Sequence, residues 1–213
     1  MPKETFFRLD PAKKRQLFVA IKDEFSRRSF AASSISEIVK NAKIARGSFY
    51  QYFEDKLDCY LYFAEILQKK RRQLFADLLM QEQGDLFAAA RLFFEKSIYD
   101  VTSGPYAQYY RVMTEAHDYR LYWQQHLVHN DKYGGATLKM FELTKTEKLR
   151  ISDYEEYSYL LELIYSIFFR TIRQHFQKQY AGQKDTPIQM KEYCFLLLDW
   201  LENGVKCLNN TKQ

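Results

Sequence analysis

Apolar residues recur at helical spacing along almost the whole chain, and no stretch alternates as a half-buried strand would. The first stripe is Leu17, Phe18, Ile21 and Phe25, with Lys13, Lys14, Lys22, Arg27 and Arg28 largely off it. Asp10 before Pro11 marks its start, an acidic cap ahead of a residue that lacks the orphan N–H. A short second helix follows Ser33-Ser34 and runs to about Asn41, burying Ile35, Ile38, Val39 and Ala42; Glu37 stands three residues after Ser34, the spacing of a capping box. A third helix covers Ala45 to Tyr52. A fourth opens at Glu54-Asp55-Lys56, with acids at the positive end of the dipole, and carries Leu57, Leu61, Ala64, Leu67, Phe75 and Leu78 to about Gln81.

Past Gly84-Asp85 the pattern predicts a helix over Leu86 to Thr102, stopped by Gly104-Pro105, and a shorter one over Tyr106 to Ala116. Leu121 to Lys148 reads as helical with a bend at Gly134-Gly135. Ser152-Asp153 open a long helix from Tyr154 to Tyr180, Gly182 to Pro187 end it, and a last helix covers Ile188 to Leu208. The expected fold is all-α with about nine helices: a three-helix N-terminal domain in residues 1–56, a linking helix at 55–81, and a larger helical domain within 57–213.

Composition supports this. Hydrophobic residues make up 46%, enough for a sizeable core, and only 7 Gly and 4 Pro interrupt it. The 17 Tyr and 17 Phe suit either aromatic packing or an aromatic-lined cavity. Charge is distributed unevenly. Residues 1–56 hold 12 Lys/Arg against 7 Asp/Glu, while the remainder holds 20 of each, so the net +5 sits in the first quarter. A cationic module on a neutral body suits phosphate neutralisation on nucleic acid, and equally a solvated basic surface. Cys59, Cys194 and Cys207 have no CxxC spacing and read as reduced thiols of a cytoplasmic protein. The N-terminus lacks the apolar run of a signal peptide, and the longest apolar stretch, Leu160 to Phe169, is interrupted by Glu162 and Ser166, so no membrane association is expected.

The segment Phe30 to Lys56, FAASSISEIVKNAKIARGSFYQYFEDK, places two short helices around a tight turn, the helix-turn-helix arrangement whose second helix enters a major groove. Phe30, Ser33, Ser34, Ile38, Ala42, Ile44, Gly47, Phe49, Tyr50, Tyr52, Phe53 and Lys56 fall without a gap on the DNA-binding signature of the TetR family, which this segment resembles. Three positions depart from it: Lys43 replaces the turn glycine, Ala45 the serine cap of the recognition helix, and Val39 a common alanine.

The exposed start of the recognition helix carries Arg46 and Ser48. Arg46 is the candidate for base readout, since arginine pairs bidentately with guanine. Gly47 allows the backbone close to DNA, or simply packs. Gln51 reads a base or stays solvated. The resemblance implies that Tyr50, Tyr52 and Lys56 contact phosphates. Ser33, Ser34 and Lys43 are candidates for phosphates at the groove edges, with capping as the alternative for the serines. Phe25, Ile38, Phe49 and Phe53 read as core.

Beyond residue 60 the resemblance is architectural. It implies a ligand-binding and dimerisation domain whose last two helices pair with a second subunit, a small organic effector, and repression of a palindromic operator relieved by an inducer. The 154–180 helix is apolar nearly all round, so it needs cover on every side. Leu160, Ile164, Ile167, Leu197, Trp200 and Leu201 are the candidate interface residues. Tyr109, Tyr110, Met113, His117, Tyr122, Trp123, Phe141, Tyr165 and Phe168 are candidate pocket residues. No cofactor is expected. No phosphate loop, GxSxG or HExxH suggests an enzyme, and His126, His129 and Asp131 are the one constellation that could hold a metal. A DNA-binding adaptor that engages a protein partner is the other alternative.

Overall fold

The computed structural model describes residues 2–121 and 134–204. Regular structure is helical throughout: α1 (Glu4–Phe7), α2 (Pro11–Arg27), α3 (Ile35–Asn41), α4 (Arg46–Tyr52), α5 (Lys56–Gln81), α6 (Leu86–Thr102), α7 (Ala107–Glu115), α8 (Gly134–Leu143), a 3-10 turn (Thr146–Lys148), α9 (Tyr154–Tyr180) and α10 (Pro187–Asn203). No strand occurs among the described residues, and the predicted all-α architecture holds. Tyr122, Trp123, His126, His129, Asp131, Cys207 and Leu208 lie outside the described residues. The chain forms two compact units. One joins Met1–Leu74 with Asp100–Ala136, the other Phe75–Tyr99 with Thr137–Gln213.

The first unit is built on the stripe read from the sequence. Leu17, Ile21 and Phe25 of α2 are buried with Ile38 and Val39 of α3, Phe49 of α4, Phe53, and Cys59 and Phe63 of α5. Aromatic edges close this core: Phe25 meets Tyr60 at 5.0 Å and Phe63 meets Tyr109 at 4.9 Å between centroids. Each such ring contributes about 1.5–3 kcal/mol by leaving water. α7 packs along α2, which brings Tyr109, Tyr110 and Met113 into the same core.

The starts of α2 and α3 follow local chemistry in part. The Asp10 carboxylate accepts the Ala12 and Lys13 amides at 2.9 and 3.2 Å, as Asp-Pro predicts. Ser34 caps α3 by accepting the Ser36 amide at 3.1 Å. The expected reciprocal bond from Glu37 is replaced: the Ser34 amide donates instead to Glu24 of α2 at 2.8 Å. Glu24 is buried beside α3, and a tertiary carboxylate already in place displaces the local partner.

The turn between α3 and α4 is a Schellman motif. The Lys43 amide donates to Lys40 O at 3.2 Å and the Ile44 amide to Val39 O at 3.1 Å, with Lys43 at φ 51° in the left-handed region. Lysine therefore occupies the geometry that glycine holds in the signature. The element missed by sequence is α1, too short for periodicity to register. Its Phe6 is buried against Phe53 at 5.2 Å and Tyr62 at 5.0 Å.

In the second unit Phe94 stacks on Phe168 at 5.3 Å, while Tyr165 packs on Phe75 at 5.7 Å and Phe93 at 6.0 Å. α9 packs on α10. Their connection is pinned by a buried Asp185 carboxylate, held at 2.9 Å by both His175 Nδ1 and Lys178 Nζ. Cys59 and Cys194 are free thiols. Burial raises the Cys59 pKa well above its ordinary value and lifts Cys194 to about 11. No described helix is long and apolar enough to cross a membrane.

The left-handed Lys43 sets up a stability test. A non-glycine residue there costs about 1 kcal/mol, so Lys43→Gly is expected to raise the unfolding free energy by roughly that amount and the melting temperature by about 2–4 °C. Calorimetry of the two proteins checks it.

Candidate nucleic-acid interface

Two seven-residue helices, each too short to persist alone, form the surface predicted to meet DNA. Both are held by other parts of the first unit. α4 has no side-chain cap at its start, because Ala45 cannot accept an amide. Its far end is braced instead by the N-terminal segment. The Lys3 amide donates to Tyr52 O and Lys3 Nζ to Tyr50 O, each at 2.8 Å, and Thr5 Oγ1 donates to Gln51 O. A cation at the carbonyl end of a helix also complements its dipole.

The exposed face of α4 carries Arg46, Gly47, Tyr50 and Gln51, with Lys43 exposed in the turn just before it. Ser48 and Tyr52 are half-buried, Tyr52 lying near Phe6. Arg46 reaches across to α3. Its Nη1 donates to Ser36 Oγ at 2.7 Å, its Nη2 to Tyr50 Oη at 3.3 Å, and its guanidinium lies 5.9 Å from the Tyr50 ring centre. The arginine is thus oriented before anything binds. Ser36, exposed on α3, was missed in the sequence reading, although its place off the Ile35–Ile38–Val39 stripe marks it as outward. A Cβ added at Gly47 would meet nothing within 4 Å, so packing inside the protein does not require glycine there.

Two of the predicted phosphate contacts are turned inward. Ser33 is buried and its hydroxyl donates to Phe30 O at 2.8 Å, which removes it from the surface. Lys56 points its ammonium into the α2–α3 connection, donating to Phe30 O at 2.7 Å and Ser33 O at 2.9 Å while lying 4.7 Å from the Phe30 ring centre. Ser34 is half-buried in its capping role.

The candidate pocket residues divide between the two units. Tyr109 and Met113 belong to the first core, with Tyr109 Oη donating to Tyr60 Oη at 3.4 Å, and His117 is exposed at φ 59°. Phe141 packs on Tyr157 at 5.3 Å, and Tyr165 and Phe168 sit in the second core. The second unit holds a cleft of about 920 Å³, which none of these described residues lines. Leu86, Leu149, Leu160, Leu163 and Leu201 form part of its apolar lining, and Lys145, Lys148 and Arg150 stand at it. Leu160 and Leu201, which the sequence marks as candidate interface residues, stand at this cleft. Among the described residues no three metal-ligating side chains cluster.

On α9 and α10 the interface candidates also separate. Ile164 is fully buried within the chain and cannot face a partner. Leu160, Ile167, Leu197 and Leu201 are half-buried, and Trp200 is 45% exposed. Tyr159, Leu163 and Leu196 are 57%, 52% and 46% exposed; Tyr159 and Leu163 stand one turn apart on α9, as Leu196 and Trp200 do on α10.

A short exposed helix behind a tight turn, backed by a second short helix in a cationic unit, defines a helix-turn-helix DNA-binding protein. The sequence comparisons give the family. The profile of bacterial regulatory proteins of the tetR family matches residues 14–63, and that of the tetracyclin repressor-like C-terminal domain matches residues 85–205, more than half the chain. The chain belongs to the TetR family of DNA-binding transcriptional regulators. Solved structures share the fold. A candidate transcriptional regulator from Pseudomonas aeruginosa PAO1 superposes with a TM-score of 0.61 at 16% identity, covering 93% of this chain and 95% of that one. FadR from Bacillus subtilis, in complex with stearoyl-CoA, gives 0.60 at 14%, covering 90% and 99%. A TetR family regulator from Marinobacter aquaeolei VT8 gives 0.58 at 17%, covering 88% and 94%. No curated protein matched the chain.

The open space over Gly47 separates stability from binding. Gly47→Ala is expected to stabilise the free protein by about 0.5–1 kcal/mol through helix propensity. Its methyl group is expected to weaken duplex binding by about tenfold, or 1.4 kcal/mol. Melting curves and fluorescence anisotropy on one preparation check the opposite signs.

Proposed function

We propose that this protein is a homodimeric repressor in the bacterial cytoplasm that binds a palindromic operator and leaves it when a small organic effector is taken up. In this reading residues 1–56 form the DNA-binding domain, helix 55–81 links it onward, and 57–213 hold the effector and dimerisation functions. The observation that carries it is the exposed face of α4, where Arg46, Gly47, Tyr50 and Gln51 stand together beside Lys43. Arg46 reads a base, Gly47 lets the backbone approach, Ser48 and Gln51 contact neighbouring groups, and Ser34, Lys43, Tyr50 and Tyr52 meet phosphates. Ser33 and Lys56 support this surface from behind, as their inward hydrogen bonds suggest.

Exposed Tyr159 and Leu163 on α9 and Leu196 and Trp200 on α10 support a second copy as partner, since large apolar side chains at such exposure on two paired helices call for cover. Two heads on one dimer then reach successive major grooves, about 34 Å apart. Effector release requires that the effector favour a state in which that spacing is wrong. The cleft in the second unit is the candidate place for it. Glu82, Asp85, Glu156 and Glu202 stand at it beside Lys145, Lys148 and Arg150, so both signs of charge are present and the apolar lining of Leu86, Leu149, Leu160 and Leu201 suits an organic effector with polar groups at its edge.

Selection of bound sequences from random duplexes tests the reading, with a palindromic consensus expected; recovery of no preferred sequence overturns it. On that consensus, Arg46→Ala is expected to relax one position per half-site by about 1–3 kcal/mol of discrimination. Equal losses on consensus and random DNA would remove Arg46 from base readout.

Sedimentation separates the two kinds of apolar residue on α9. Leu163→Asp is expected to give folded monomers. Ile164→Asp is expected to lose about 3 kcal/mol or more of stability by burying a charge, with a lowered melting temperature as its signature.

A further inference from the structure

α7 also ends in a Schellman turn. The His117 amide donates to Thr114 O at 3.3 Å and the Asp118 amide to Met113 O at 2.9 Å, with His117 left-handed. This turn fixes Asp118, which is 8% exposed, so that its Oδ2 accepts the Phe30 amide at 2.6 Å. The bond crosses 88 positions of sequence and ties the end of α7 to the connection between α2 and α3. The Phe30 carbonyl is taken by Lys56 at 2.7 Å, so one residue has its amide held by an anion from α7 and its carbonyl by a cation from α5. Four residues further on, Ser34 caps α3, the helix whose Ser36 orients Arg46.

We propose that Asp118 is a positioning residue for DNA binding, a carboxylate latch through which α7 sets the placement of the α2–α3 connection and hence of α3 and α4. The proposal rests on the assignment of the α3–α4 surface to DNA. The latch is directional where the surrounding apolar contacts are not. The ring contacts of Phe25, Tyr60 and Phe63 carry no donor–acceptor direction, whereas a carboxyl oxygen at 2.6 Å from one amide fixes a single register. A carboxylate is also an expensive way merely to fill space. Burial raises the Asp118 pKa, with the Phe30 amide, Lys56 and His117 pulling the other way, so a carboxyl here carries a desolvation cost that an apolar side chain would avoid. A displacement of α7 is passed to the reading surface through this bond.

The test uses the full-length protein, the consensus duplex selected by the wild type, and hydrogen exchange followed over residues 29–36. Asp118→Ala is expected to speed exchange in that segment, leave α9 unchanged, and weaken binding to the duplex by about tenfold, the scale of one charge-assisted hydrogen bond. Asp118→Asn keeps an oxygen for the Phe30 amide and is expected to recover affinity to within about threefold of wild type. Unchanged exchange over 29–36 in Asp118→Ala overturns the latch, as does unchanged affinity. An Asn variant as weak as the Ala variant, with both losses tracking melting temperature, assigns Asp118 to general stability and overturns it too. Should the Ala protein not fold, Asp118→Leu, which fills similar space without an acceptor, takes its place: faster exchange over 29–36 with weakened binding supports the latch, and no change in either refutes it. A wild type that selects no duplex counts against the DNA assignment instead, and the exchange measurement still reports on the latch.

Discussion

Hydrogen bonds from charged side chains to main-chain groups of the α2–α3 connection hold the DNA-binding unit in shape. Glu24 takes the Ser34 amide, Asp118 takes the Phe30 amide, and Lys56 takes the Phe30 and Ser33 carbonyls. The segment is part-buried and has no strand or long helix to satisfy its backbone, so those groups need partners from elsewhere. Ionised partners give the strongest bonds available, about 1.5–3 kcal/mol each. They come from α2, α5 and the end of α7, so the connection is the point at which three elements of the unit agree on one geometry.

The recognition helix depends on this arrangement because it has little strength of its own. Seven residues, no capping side chain and a left-handed lysine just before its start all weigh against it locally. Tertiary contacts supply what the local sequence lacks. Phe49 is buried beneath the helix, Ser36 pins Arg46 on the α3 side, and Lys3 and Thr5 hold the final carbonyls. Polar and aromatic groups that would pack or pair elsewhere are thereby left facing outward on one rigid face, where a duplex can meet them without first ordering them.

Most of the helical frame was legible in the sequence because periodicity, Asp-Pro, Gly-Pro and Ser-Asp signals are local. The helices at 86–102 and 154–180 begin and end where those signals stand. What escaped was whatever a distant residue decides. Glu24 displaced Glu37 at the start of α3, and the same connection drew Ser33 and Lys56 inward. Four residues of α1 carry no period to detect. On α9, apolar side chains on every face hide which side is covered by the chain itself. Ile164 and Leu163 are neighbours of similar hydrophobicity, and only their burial distinguishes them. The aromatic residues grouped as a pocket show the same limit, since spacing identifies a buried face and not whether the space beside it is filled.

The contacts of Lys3 and Thr5 with the last turn of α4 carry a practical corollary. The Lys3 amide and ammonium and the Thr5 hydroxyl are bonded directly to the last carbonyls of α4. An affinity handle or cleavage scar joined ahead of Pro2 would load this splint, and binding constants from such material would describe a shifted probe.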